Sequence, residues 1–422
     1  MADSFKNEIV RIDAIAEINP DKLDKSFKYK RMKYVDISSV DKGYITGYQD
    51  LSLEDAPSRA QRLTKVNDFI ISTDRPGNRS YAYIKNSQEV TVFSTGFAVI
   101  WTRKCDPRYL YYVLTSDTII DYLASIDDSK SAYPSINPSD SSELEIDLLP
   151  LETQNEIAHI IGTLDDKIEL NRRMNKTLEE IAQTLYKQWY IDFEFPKEKG
   201  KPYKFTGGEM IDSELGLIPK GWRVGQISDI SKKVCIGPFG SSIKVETFTD
   251  SGIPFISGQH LKEVRLSDTE YNFVTKERAY SISNSLVYRG DVIFTHAGSI
   301  GQVAYIPNTS KYETYIISQR QFYLRCDTEK MLPELVVMYF KTPRGQHNLL
   351  ANTSSSGVPS ISQPATNLKR HTILIPPIKV QNEYVVYLES SDRKVSCNLH
   401  NITLLENTKN RKAQEHFEIL IT

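Results

Sequence analysis

The chain has 422 residues, 40% hydrophobic and 25% charged, with a formal net charge of −2. That length calls for more than one domain, and the composition is that of an ordinary globular protein. No run of about 18 apolar residues is present, so no membrane span is expected, and the N-terminal MADSFKNEIV lacks a secretory apolar core. Cys105, Cys235, Cys326 and Cys397 are scattered without a CxxC pair. Zinc or disulfide scaffolds are therefore not expected, and a reducing cytoplasm is the expected location.

The near-zero net charge hides an uneven distribution. Residues 220–376 carry 18 Lys/Arg against 12 Asp/Glu, a local +6, and residues 1–150 carry 19 against 23, a local −4. Within the acidic part the bases cluster: Lys22, Lys25, Lys28, Lys30, Arg31 and Lys33, then Arg59, Arg62 and Lys65, then Arg75 and Arg79. Local patches of this kind make an electrostatic footprint that net charge does not report.

Residues 1–150 read as a mixed domain of short strands. KYVDISSV (33–40), DFIIST (68–73) and VTVFSTGFAVIW (90–101) are rich in β-branched and aromatic residues. PRYLYYVLTSDTIIDYLASI (107–126) predicts one amphipathic helix with Pro107 in its first turn. A polar loop, DDSKSAYPSINPSDSS (127–142), then leads to a strand, ELEIDLLP (143–150).

From Pro150 the pattern changes. Steps of four and three from Ile157 reach Ile161, Leu164, Ile168, Asn171, Asn175, Leu178, Ala182, Leu185 and Trp189. Eight of these ten positions are apolar, which is a heptad seam that buries itself against a partner helix. The expected helical segment is 151–195, with a Gly/Pro-rich linker or flap over 196–219. Gln154-Asn155-Glu156 recurs as Gln381-Asn382-Glu383, with Pro150 matched by Pro377. The same offset matches Ile161 to Leu388, Ile168 to Val395, Asn171 to Asn398 and Leu178 to Leu405. A second long helix over 377–422 follows. Its Lys409 and Lys412 fall on the seam, so its last turns are expected to fray or to meet another subunit. An Asn171–Asn398 pair would fix the register of two such helices.

The segment 220–376 repeats 1–150. DFIISTDRPGNRSYAYI (68–84) matches DVIFTHAGSIGQVAYI (291–306) with one gap, PRYLYYVL (107–114) matches PELVVMYF (333–340), and YPSINPS (133–139) matches VPSISQPA (358–365). A period this long means duplicated domains rather than a solenoid.

Two variable β-rich domains, each followed by a long helix opening with P-x-x-x-Q-N-E, resemble the specificity subunit of type I restriction–modification systems. The resemblance spans essentially the whole chain. It implies an α/β (α+β) fold with two tandem target recognition domains, at 1–150 and 220–376, and the long helices packed as an antiparallel coiled coil. It further implies a DNA-binding, phage-defence subunit that reads a bipartite site with a fixed unread gap. In that family the helices act as a spacer and docking surface for two methyltransferase subunits, and two motor-nuclease subunits complete the complex. Helix length is then expected to set the gap. The seam residues Ile157, Ile161, Leu164, Ile168, Asn171, Leu178, Leu185, Leu388, Val395, Asn398 and Leu405 are the expected coiled-coil and docking positions.

Catalytic signatures are missing from the sequence. No Asn/Asp-Pro-Pro-aromatic methyltransferase loop, Walker A sequence, HExxH pair or metal motif is present. No catalytic residue or metal is therefore expected, and S-adenosylmethionine, ATP and Mg2+ are expected on partner subunits. Base and phosphate readout needs Arg, Lys, Asn, Gln, Ser or backbone amides on loops. The candidates are Arg75, Asn78, Arg79, Tyr81, Lys130 and Tyr133 in the first half. In the second they are Ser241, Ser242, Lys244, His296, Ser299, Gln302, Gln319, Arg320, Ser354, Ser355 and Ser356. A solo methyltransferase or nuclease with diverged motifs, and a scaffold that never touches bases, are the alternatives. Methyl-donor binding would favour the first, and absence of salt-dependent DNA binding the second.

Overall fold

The computed structural model describes residues 8–23, 28–86, 90–128, 142–197, 200–238, 243, 245–268, 270–354 and 357–417. The repeated strand patterns fold into repeated sheets. In the first half, β1 (Ala16–Ile18), β2 (Phe69–Ser72), β3 (Tyr81–Tyr83) and β4 (Phe97–Thr102) form an antiparallel sheet of order β1-β4-β2-β3. In the second, β5 (Ser231–Ile236), β6 (Asp291–Thr295), β7 (Val303–Tyr305) and β8 (Gln321–Cys326) form a sheet of order β5-β8-β6-β7. Each half adds a second four-stranded sheet of matching order with one parallel pairing, Thr91–Ser94 on Arg31–Val35 and Thr314–Ile317 on Ile253–Ile256. The strand before each long helix also pairs with an early strand of its own half: Glu145–Leu148 with Glu8–Arg11, and Thr372–Ile375 with Arg223–Gln226.

Two sequence expectations need correction. The run at 90–101 is two strands in different sheets, because the chain turns at Thr95–Gly96; a Cβ on Gly96 would sit 2.4 Å from Ile37 Cδ1. The helix expected at 107–126 is two, Pro107–Leu114 and Asp117–Asp128, because Thr115 leaves the helical basin. Its hydroxyl donates to the Tyr111 carbonyl, at 2.7 Å. In addition, KYVDISSV is a strand only over Arg31–Val35, and Ile37–Ser39 is a 3-10 turn capped by the Asp36 carboxylate.

The long helices are α1 (Leu151–Tyr186), continued by a π-helical turn at Lys187–Ile191, and α2 (Ile378–Phe417). All ten predicted seam positions, nine on α1 and Trp189 in the π-helical turn, are buried or half-buried. The chain divides into two compact units, Met1–Met174 with Cys397–Thr422 and Asn175–Ser396, so each unit holds one β-rich half and a segment of both helices. Within the first unit Asp165 pairs with Lys409 at 2.8 Å and Arg172 with Glu406 at 2.7 Å. Within the second the Tyr384 hydroxyl donates to the Ala182 carbonyl at 3.0 Å and that of Tyr190 to the Val380 carbonyl at 3.3 Å. In both, one residue number rises as the other falls, which is antiparallel pairing.

The last described turns of α2 are helical, and residues 418–422 lie outside the described residues. Lys409 is neutralised on the seam by Asp165, and Phe417 packs edge-on against Tyr109 in the first core, centroids 6.1 Å apart. Asn398 is buried and Asn171 half-buried.

Two acids where the second β-rich half meets its helix segments are desolvated. Burial pushes the Glu334 carboxyl up to about 7, with Asp392 and Glu389 adding to the effect. Burial also raises Glu179 to about 7, next to Glu263. The unfolded value is 4.5, so this contribution is complete below about 4.5 and is lost as pH rises through 7. His371 acts oppositely: burial and Arg344 lower it to about 4, so its contribution falls away below its ordinary 6.5. Between pH 6.5 and 8 the acids dominate, and the melting temperature should fall as pH rises. The double variant Glu334→Gln/Glu179→Gln should flatten that slope in a calorimetric series; an unchanged slope would discard this assignment.

Candidate nucleic-acid interface

In both units the sheet turn after the second central strand presents the candidate loop. In the first unit Arg75 and Arg79 flank a 3-10 turn, Pro76–Asn78, and both are left-handed, with φ of +51° and +60°. Arg75 and Asn78 are exposed, and among the described residues the Arg75 side chain has no partner. Arg79 differs: Asp117 and, at 3.2 Å, Asp121 hold it against the helix Asp117–Asp128. It is a strut for the loop rather than a free cation. Tyr81 is 8% exposed and meets Tyr111 edge-on, with its phenol pushed up to about 12 by burial. Its side chain belongs to the core, because a strand residue three steps past the turn faces the sheet interior.

Part of the basic clusters of this half is neutralised at home. Arg31 pairs with Asp50 at 2.8 Å, Arg59 with Asp74 at 2.7 Å and Lys65 with Asp21 at 2.6 Å. Lys33 lies over the Tyr48 ring at 4.0 Å. Lys130 and Tyr133 lie outside the described residues, as do Ser241, Ser242, Lys244, Ser355 and Ser356.

In the second unit the candidates converge. The loop from Thr295 to Gln302 is closed by Thr295, whose hydroxyl donates to the Ser299 carbonyl at 2.6 Å and accepts from the Gln302 N–H at 3.0 Å. Gly298 and Gly301 supply its two left-handed positions, φ +80° and +83°. His296 donates from Nε2 to the Gln319 carbonyl at 3.1 Å. Burial lowers its pKa, so the ring is neutral near pH 7. The hairpin Thr353–Ser354/Ser360–Ile361 lies alongside: Ile361 N–H donates to the His296 carbonyl at 2.8 Å and Gly298 N–H to the Pro359 carbonyl at 3.1 Å. Ser354 is thereby brought to the same surface.

Ser299, Gln302, Gln319 and Arg320 line one cavity of about 310 Å³ with Ser257 and Gln321. Ser299, Gln319 and Arg320 are exposed, and among the described residues the Arg320 guanidinium has no partner. Gln321 was not among the predicted residues. It is fully buried, and its signal was in the repeat, since its structural counterpart is Phe97. A second cavity of about 390 Å³ has Arg344 and Arg370 among its lining residues, over a floor that includes Phe340 and Leu368. Among the described residues no group of three His, Cys, Asp or Glu is placed to hold a metal, and no helix is long and apolar enough to cross a membrane.

The P-x-x-x-Q-N-E boxes have a structural task. Gln154 Oε1 accepts the Asp106 N–H at 2.9 Å while its Nε2 donates to the Leu149 carbonyl at 2.7 Å. Gln381 accepts the Leu332 N–H and donates to the Lys330 and Pro376 carbonyls, all at 2.8 Å. Asn155 and Asn382 are exposed. The glutamine of each box therefore ties a long helix to the start of the short helix in its own β-rich half.

A duplicated α+β chain whose halves share a scaffold but differ in exposed polar loops, linked to paired antiparallel helices, defines a class of tandem two-domain protein. Residues 6–180 and 219–407 match the family described as type I restriction modification DNA specificity domain, and the chain belongs to that family. It is 35% identical over 170 residues to the HindI specificity subunit of Haemophilus influenzae, covering 40% of this chain and 37% of that one. It is 28% identical over 240 residues to the MjaIX specificity subunit of Methanocaldococcus jannaschii, covering 54% and 53%. The matches thus span about a third to a half of these relatives' length. The crystal structure of a type I restriction–modification S subunit from M. genitalium has the same fold, with a TM-score of 0.53 at 11% identity over 98% of this chain and 96% of that one.

Proposed function

We propose that the chain is the sequence-specific DNA-recognition subunit of a type I restriction–modification complex. Each β-rich half reads one part of a bipartite target, the antiparallel helices fix an unread gap, and the chain scaffolds methyltransferase and motor-nuclease subunits without catalysing a reaction. S-adenosylmethionine, ATP and Mg2+ belong to those partners, and the place of action is the cytoplasm, where chromosomal and invading DNA meet. The observation that carries this reading is the pair of equivalent loops on one repeated scaffold. Arg75 and Asn78 face solvent in the first, while Ser299, Gln302 and Arg320 gather around a cavity in the second. Shared backbone with divergent polar tips is what reading two different sequences requires. Apolar side chains exposed on the helices, Leu170 at 56% and Val386 at 61%, support the docking of partner subunits.

Binding of duplex DNA by the full chain is expected to weaken steeply with salt. Arg75→Ala should change preference in one half of the site by about tenfold or more while partner assembly is unaffected. Unaltered selectivity in that variant would remove Arg75 from the interface, and salt-insensitive binding would remove DNA as the ligand.

A further inference from the structure

Gln302 and Gln321 lie on one rung of the sheet in the second unit. Thr295 at the end of β6 pairs with Gln321 on β8, and its N–H donates to the Gln302 carbonyl at 3.0 Å on the other side. Residues directly opposed across strands point to the same face, so the two amides share a face two strands, about 10 Å, apart. Both line the 310 Å³ cavity.

Among the described residues, each amide has a buried atom without a hydrogen-bond partner: Oε1 of Gln302, an acceptor, and Nε2 of Gln321, a donor. The orientation of Gln321 is fixed, because its Oε1 accepts the Ser318 N–H at 2.8 Å. Desolvated polar groups left unpaired are costly, and each one in a native structure calls for a reason. The fold does not supply that reason. At the equivalent rung of the first unit, Ser72 pairs with Phe97 on one side and its N–H donates to the Ser80 carbonyl on the other. The same scaffold there takes Phe97 in place of Gln321 and Ser80 in place of Gln302. The two unpaired amide atoms are therefore not required by the shared sheet, and together they offer an acceptor and a donor to a ligand group that donates and accepts side by side.

We infer that Gln302 and Gln321 read an adenine in the second half of the DNA target, an inference that rests on the proposed function. In the major groove adenine presents its N6 amino donor beside its N7 acceptor. Guanine presents two acceptors, cytosine a donor, and thymine an acceptor with a methyl group. An Oε1 acceptor paired with an Nε2 donor is complementary to adenine alone among these. Gln302 is half-buried, so its side chain can turn toward the cavity mouth, where Ser299, Gln319 and Arg320 supply neighbouring contacts. Gln321 completes the pair from the sheet side.

The test is selection from a randomised duplex library by the full chain, comparing wild type with Gln302→Ser, which installs the residue of the first repeat, and with Gln321→Met. Wild type should select a two-part motif with an invariant adenine in one half. Each variant should lose preference for adenine at that one position by about tenfold or more, with the other half-site and the gap unchanged. A motif without adenine in that half overturns the inference and leaves the proposed function standing. So does an identical motif in the variants, loss of selection at both half-sites, or a variant that fails to fold. Wild type that selects no sequence overturns the proposed function itself.

Discussion

Trp189→Ala should destabilise the second unit by about 3–5 kcal/mol, the usual cost of truncating a buried tryptophan. Trp189 is 4% exposed and ends the seam of the first long helix, inside the π-helical turn Lys187–Ile191. Its ring lies 5.8 Å from those of Tyr384 and Tyr387 on the opposing helix and 6.5 Å from that of Tyr190. Tyr384 is fully buried, and its hydroxyl is already spent on the Ala182 carbonyl, so the neighbours cannot collapse into the space without breaking that bond. Ile181→Ala on the same helix removes a side chain that is 54% exposed and should change stability by about 0.5 kcal/mol or less. Chemical denaturation followed by tyrosine and tryptophan fluorescence distinguishes the two. A loss below about 1 kcal/mol for the tryptophan variant would mean that this packing does not hold the helices together.

Gln381→Ala should cost about 3 kcal/mol or more, because one truncation orphans the Leu332 N–H and the Lys330 and Pro376 carbonyls, at about 1–3 kcal/mol each if water does not replace the amide. Gln381 is fully buried, which limits that replacement. Gln154→Ala orphans one donor and one acceptor and should cost less, and Asn382→Ala, exposed, should be close to neutral. Gln381→Glu keeps the shape and the acceptor but turns an oxygen toward two carbonyls, so it should not rescue. Thermal unfolding of the four variants in parallel gives the ranking. Equal losses at Gln381 and Asn382 would show that the box acts through something other than these bonds.

The architecture was legible because its signals were long. A seam sustained over ten positions and a repeat sustained over half the chain both outlast local noise. The corrections fall where a single residue decides. Gly96 turns one apolar run into strands of two sheets, and Thr115 splits one helical pattern, because side-chain crowding and hydroxyl bonding act below the length of a periodic signal. The candidate site was legible in its loops but not in its charges. Sequence shows that Arg79 flanks a turn, but not that Asp117 and Asp121 lie beside it, and it gives Tyr81 no direction until the strand is placed. Gln321 was hidden for a different reason. It opens a strand rather than a loop, and the sheet register sets it at the position of Phe97.

Sequence-specific recognition by both halves is tested most directly by expressing the chain with the proposed methyltransferase subunit and mapping methylated adenines across a genome by single-molecule sequencing. The expected result is one motif of two short parts separated by a fixed number of unread base pairs. A single uninterrupted motif, or methylation without sequence preference from a stable complex, would contradict the account.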